Sequence, residues 1–154
     1  MEDGIDSQID FKKSKFSKRH RQRQCIVECL YMWEMQRDLP VEELFSAYCE
    51  EKHEEVEEEI LQANFVLDSL KGVSNYFEVL DEKIRNCAQN WSFSRIAKMD
   101  LAILRLAIYE LFFVKTPAPI VINEAVELSK IYSSDDAKRF INGILDYLSK
   151  EFAG

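Results

Sequence analysis

Apolar side chains recur along this chain at helical intervals, and no segment of useful length alternates as a strand would. Ile26, Cys29, Leu30 and Trp33 stand at i, i+3, i+4 and i+7. That is one face of a 3.6-residue repeat, and it predicts a helix from about Arg19 to Gln36. Asp38 and Pro40 end this helix and open a second, where Leu44, Ala47 and Tyr48 repeat the spacing. Val56, Ile60, Ala63, Leu67 and Leu70 form a third stripe, which Gly72 closes as a C-cap. Ser74 or Asn75 caps a fourth helix with Phe77, Leu80, Ile84, Cys87 and Ala88 inward.

Ser92 or Ser94 precedes the longest apolar segment, Met99–Val114. There Ile103, Leu104, Leu106, Ala107, Ile108, Leu111 and Phe112 surround nearly the whole circumference. A helix apolar on all sides is buried among others, so this one is central. Thr116-Pro117-Ala118-Pro119 breaks it and presets the first turn of a helix over 120–132. Ser134 caps the last helix, with Asp135 and Asp136 at the positive end of its dipole. Ala137, Phe140, Ile141, Ile144, Leu145 and Leu148 form its inner face, and Gly143 inside it is expected to mark a close helix approach. Residues 1–16 lack periodicity and are expected to form a disordered or loosely ordered leader. The pattern predicts an all-α fold of about seven helices.

Composition agrees. Glycine and proline together number seven among 154 residues, where average usage predicts about 18. So few breakers exclude a turn-rich sandwich or barrel. A chain of this length buries roughly 68–70% of its extended surface on folding and needs no staple. The four cysteines, Cys25, Cys29, Cys49 and Cys87, show no framework spacing, and no apolar signal segment opens the chain. Reduced thiols and a cytoplasmic location are expected. Leu101–Val114 carries Arg105 and Glu110, too short and too charged to span a bilayer.

Charge changes the picture. Twenty basic against 28 acidic residues give a net charge of −8, which alone argues against a nucleic-acid binder. The distribution reverses that argument: between Lys12 and Arg23 there are seven basic residues and no acid, and between Glu50 and Glu59 seven Glu and one Lys. Such asymmetry points to an anion-binding patch on an acidic body. Arg19, His20, Arg21 and Arg23 open the first helix and fan around its first turns, where unpaired N–H groups also favour phosphate. One short patch cannot follow a groove, so single-stranded RNA fits better than duplex DNA. Four phosphate contacts predict a log–log salt slope of about −3.

Little points to catalysis. Neither His20 nor His53 has an obvious nucleophile beside it, and the chain has no glycine-rich phosphate loop. Cys25 and Cys29 share a helix face, but no second Cys/His pair completes a metal site. They read as packing, although the nearby arginines are placed to lower the pKa of Cys25. The expectation is no enzyme, no metal and no cofactor. Tyr31 and Met32 lie off the apolar stripe and suit either a partner or another helix.

Five stretches then resemble a known family. Arg19-His-Arg-Gln-Arg-Gln-Cys25, followed by Cys29-Leu-Tyr-Met-Trp-Glu34, resembles the arginine-rich opening of the NusB family of transcription antitermination proteins. Asp100-Leu-Ala-Ile-Leu-Arg-Leu-Ala-Ile-Tyr-Glu-Leu111 is similar to its central helix. Pro119-Ile-Val-Ile-Asn-Glu-Ala-Val-Glu-Leu-Ser-Lys130 and Asp135-Asp-Ala-Lys-Arg-Phe-Ile-Asn-Gly-Ile-Leu-Asp146 resemble its C-terminal signature. The likeness spans about residues 18–150, in pattern more than in sequence over 37–90. It implies two small packed bundles within 17–152, an N-terminal one over about 17–74 and a C-terminal one over about 75–152.

The resemblance further implies no enzyme activity and binding of boxA-type single-stranded RNA in nascent ribosomal transcripts. The RNA is bound jointly with NusE, a small-subunit ribosomal protein, within an RNA polymerase antitermination complex that suppresses premature termination. Carried over by position, the RNA contacts fall on Arg19, His20, Arg21 and Arg23, and on Asp136, Lys138 and Phe140. Tyr31 falls in the face that meets NusE. Phe140 stands open between base stacking and the apolar stripe of its own helix. His20 and Gln24 occupy places where arginine and glutamate are more usual, and Ala137 replaces a usual serine. Monomer and homodimer both remain open. Two rival readings stand beside this one: a protein-interaction adaptor, and a detached RNA-binding module like that preceding some ribosomal RNA methyltransferases.

Overall fold

The structure, a computed structural model, describes residues 17–88 and 92–153. The expected leader, residues 1–16, lies outside the described residues. Among those described there are seven α-helical segments and no strand. They are α1 (Lys18–Met35), α2 (Val41–Lys52), α3 (Glu58–Leu61), α4 (Asn64–Cys87), α5 (Lys98–Tyr109), α6 (Ala118–Tyr132) and α7 (Asp135–Ala153). A 3-10 turn, Phe93–Arg95, precedes α5, and a π-helical turn, Glu110–Val114, follows it.

The central helix is where its pattern placed it. Leu101 to Ile108 are all buried, and α5 packs against α1, α4, α6 and α7. Lys115, at φ 69°, ends the π turn in the left-handed region. Pro117 and Pro119 then set the entry to α6. Ser17 caps α1 by accepting the His20 N–H at 3.1 Å. Ser134 accepts the Ala137 N–H at 3.2 Å and caps α7 in the same way. A single continuous apolar core joins the helices.

Several expectations give way to contacts that only the folded chain supplies. Gly72 does not end a helix. It lies buried inside α4, and an added Cβ would sit 2.2 Å from the Tyr109 ring of the adjoining segment. Its missing side chain admits that ring. The expected break appears instead as a kink at Tyr76 (φ −111°, ψ 16°), so the third and fourth predicted helices largely merge. The third predicted stripe is itself interrupted at Gln62 and Ala63, which sets off its start as the short α3, anchored by buried Ile60 and Leu61. On α2 the inward residues are Val41, Leu44, Phe45 and Tyr48, with Ala47 exposed. Gly143 faces open space, and a Cβ added there would meet no atom within 4 Å, so close helix approach does not explain it.

Candidate nucleic-acid interface

The first turns of α1 divide their basic side chains between inside and outside. Arg23 is 6% exposed. Its Nε and Nη2 donate to both oxygens of Glu110 at 2.7 and 2.8 Å, and its Nη1 donates to Glu124 at 2.7 Å. His20 is 1% exposed, and its Nδ1 lies 3.1 Å from a Glu124 oxygen. Glu110 opens the π turn and accepts the Thr116 hydroxyl at 3.0 Å. Burial works against the Glu124 carboxylate, but hydrogen bonds from His20 and Arg23 outweigh it and hold its pKa below the usual range. Burial likewise opposes the Arg23 charge, and bonds to Glu110 and Glu124 more than restore it. His20 and Arg23, both expected at the RNA surface, therefore staple α1 to the π turn and α6. Reaching an outside ligand would require breaking those pairs.

The remaining cations point outward. The Lys18 side chain is 67% exposed and pairs with Glu59 at 3.1 Å. Arg19 is exposed, donates to Gln22 at 2.9 Å and lays its guanidinium 3.9 Å over the Phe65 ring. That contact holds the charge flat over an aromatic face. Arg21 is half-buried and pairs with Glu57. Beside Arg19 runs an open groove walled by Ser17, Phe65, Val114, Thr116, Ile120 and Asn123.

Farther along α1, the Glu28 carboxylate accepts hydroxyls from Tyr48 (2.7 Å) and Tyr132. Arg23 and His20 meet α6 at Glu124, and Glu28 meets it at Tyr132, so the two helices run side by side in one direction. Asp136, Lys138 and Phe140 follow the far end of α6. Glu124 and Tyr132 are about two turns apart, roughly 12 Å of rise. The start of α1 and the start of α7 thus form two separate candidate patches. Asp136 is 92% exposed in its side chain and accepts from Arg139 at 2.9 Å. Lys138 is half-buried, and Phe140 is partly buried against the core. Tyr31 is 37% exposed, with Met35 also exposed one turn on.

A second buried network was not anticipated. Arg105, 2% exposed in the middle of α5, donates to both oxygens of Asp81 (2.8 and 2.9 Å) and to Glu34 (2.6 Å). A signal was present: an arginine and a glutamate inside an apolar helix demand buried partners. The cysteines follow the packing reading. Cys25 and Cys29 are buried, and burial pushes both thiols up, against the expected lowering of Cys25. No group of His, Cys, Asp and Glu among the described residues could hold a metal. No described helix is long and apolar enough to cross a membrane.

The class so defined is a small helical binding protein whose cations are aimed outward by a buried ionic staple. More particularly, the chain belongs to the NusB family, whose model matches residues 20–150. The transcription antitermination protein NusB of Campylobacter lari is 37% identical over 133 residues, covering 86% of this chain and 96% of that protein. The protein of that name from Solibacter usitatus is 34% identical, covering 86% and 89%. Among solved structures, NusB of T. maritima superimposes with a TM-score of 0.76 at 30% identity, covering 88% of this chain and 93% of that one. A chain from a complex of antitermination factors NusB and NusE with dsRNA gives 0.74 at 27%, covering 87% and 97%.

Proposed function

We propose that this chain is a non-enzymatic transcription antitermination factor that binds boxA-type single-stranded RNA together with NusE and enters an RNA polymerase antitermination complex. The observation that carries this reading is the outward set Lys18, Arg19 and Arg21 at the capped start of α1, held in direction by the Arg23–Glu110–Glu124 staple. Family membership supports it, since the relatives are antitermination proteins and a structural neighbour was solved with NusE and RNA. Phosphates meet the α1 cations, which position the strand without reading it. Lys138 and the exposed edge of Phe140 supply the second patch, where a base stacks at about 1–3 kcal/mol. Tyr31 and Met35 offer NusE an apolar face farther along α1.

Fluorescence anisotropy with labelled boxA-type RNA and a scrambled control, with and without NusE and at two salt concentrations, tests the reading. Preference for boxA that strengthens with NusE is expected. Arg19→Glu/Arg21→Glu abolishes RNA binding while NusE binding persists. Equal, salt-sensitive binding to both RNAs would leave the adaptor reading ahead.

A further inference from the structure

The sequence places a run of seven Glu between Glu50 and Glu59, and the fold gives part of that run a specific destination. Glu57 stands at the N-cap position of α3 without a side-chain capping bond, and Glu58 and Glu59 form its first turn. Ile60 (0% exposed) and Leu61 (2%) bury the other side of this short helix and fix it against α1. Held there, Glu59 pairs with Lys18 at 3.1 Å and Glu57 pairs with Arg21. Two of the three outward cations assigned to RNA are therefore occupied by the chain's own carboxylates. Both carboxylates are well exposed, with side-chain exposures of 62% for Glu59 and 56% for Glu57. They stand beside the cations as phosphate oxygens would. On α7 the arrangement recurs, where Arg139 is paired with Asp136.

We infer that Glu57 and Glu59 are an internal competitor for RNA, residues that set how tightly the α1 surface takes any phosphate backbone. This rests on the RNA reading above. A strand that engages Lys18 and Arg21 must first displace both carboxylates, which then stay nearby as fixed negative charges. The cost is the same for every RNA, because phosphates carry no sequence information. Affinity drops uniformly, and RNAs that offer only charge fall below useful binding first. The salt dependence drops as well. Salt screens the internal pairs as it screens the phosphate contacts, so the competitor weakens as salt rises and the net slope is shallower. Exposed pairs of this kind are individually weak, so the competitor is displaceable and does not act as a lock.

Anisotropy with the full chain and two probes, boxA-type RNA and a scrambled strand of equal length, provides the test. Glu57→Gln/Glu59→Gln is expected to tighten both RNAs by about three- to tenfold at low salt, from two exposed pairs of ordinary strength. It should leave their ratio unchanged and steepen the log–log salt slope by up to about 1.4. Glu42→Gln/Glu43→Gln, two exposed acids on α2, alters net charge equally and is expected to do much less. In a Lys18→Gln/Arg21→Gln background the Glu57/Glu59 substitutions should have no further effect. Equal tightening by the α2 variant, or an unaltered slope, would overturn the competitor. Wild-type chain that binds neither RNA would instead bring down the RNA reading itself.

Discussion

Replacing Arg23 with methionine separates a cation that anchors from one that contacts RNA. Methionine keeps much of the length and apolar volume but leaves Glu110 and Glu124 without their shared guanidinium. Glu110 is 2% exposed, and three Arg23 bonds of 2.7–2.8 Å end on the two carboxylates. Removing one partner of a buried ion pair costs about 3–5 kcal/mol, because the orphaned charge stays desolvated. The penalty depends on pH. In the wild type, the pKa of Glu124 is held below its ordinary value of 4.5. A depressed carboxylate contributes stability above its unfolded pKa, and that contribution is lost as pH falls through the folded one. The deficit of the variant is therefore largest near neutrality and shrinks below about pH 4.5. Urea unfolding of both proteins at pH 7 and pH 4 measures it. Replacing Glu110 as well, as Arg23→Met/Glu110→Leu, recovers the share of the loss due to Glu110 and leaves that due to Glu124, which keeps only His20. RNA titrations complete the case: an anchoring Arg23 leaves the salt slope unchanged while affinity falls, whereas a phosphate contact reduces the slope by about 0.7. A deficit under 1 kcal/mol at pH 7, or one independent of pH, would refute the argument.

Other substitutions test the packing and the second patch. Gly72→Ala puts a methyl group 2.2 Å from the Tyr109 ring and should destabilise by about 1–3 kcal/mol, most of it absent in a Tyr109→Ala background. Gly143→Ala meets no atom within 4 Å and should stabilise α7 by about 0.5–1 kcal/mol, a rise in Tm of roughly 1–4 °C by calorimetry. Asp136→Asn frees Arg139 of its 2.9 Å partner and should tighten RNA binding in the anisotropy assay; unchanged or weaker binding would remove Asp136 from the RNA surface.

What the sequence made legible were features written in local periodicity. The stripe from Ile26 to Trp33, the all-round apolar α5 and the capping Ser134 all stand where their spacing put them. Gly72 was misread because a glycine admitting a ring and a glycine ending a helix look alike in one dimension. The break between α3 and α4 escaped because Ile60, Ala63 and Leu67 keep their helical spacing straight across it. The staple was out of reach for another reason. Arg23 and Glu124 are 101 positions apart, Arg105 and Glu34 71 apart, and no local pattern pairs them. The fan of Arg19 to Arg23 was visible; which members point inward depends on acids contributed from the far half of the chain.

That dependence has a consequence for the order in which the protein matures on the ribosome. Helix α1 emerges well ahead of Glu110, Glu124 and Tyr132, which fix its direction and lie 87 to 104 positions beyond the α1 residues they hold. Chains grow at about 5–20 residues per second, so several seconds separate the basic helix from its anchors. During that interval the nascent segment carries its positive charge without its geometry. A truncated product ending before α6 would keep the attraction for polyanions and lack the orientation that disciplines it. Completion of the C-terminal half is thus what turns a generic basic segment into a surface of defined shape.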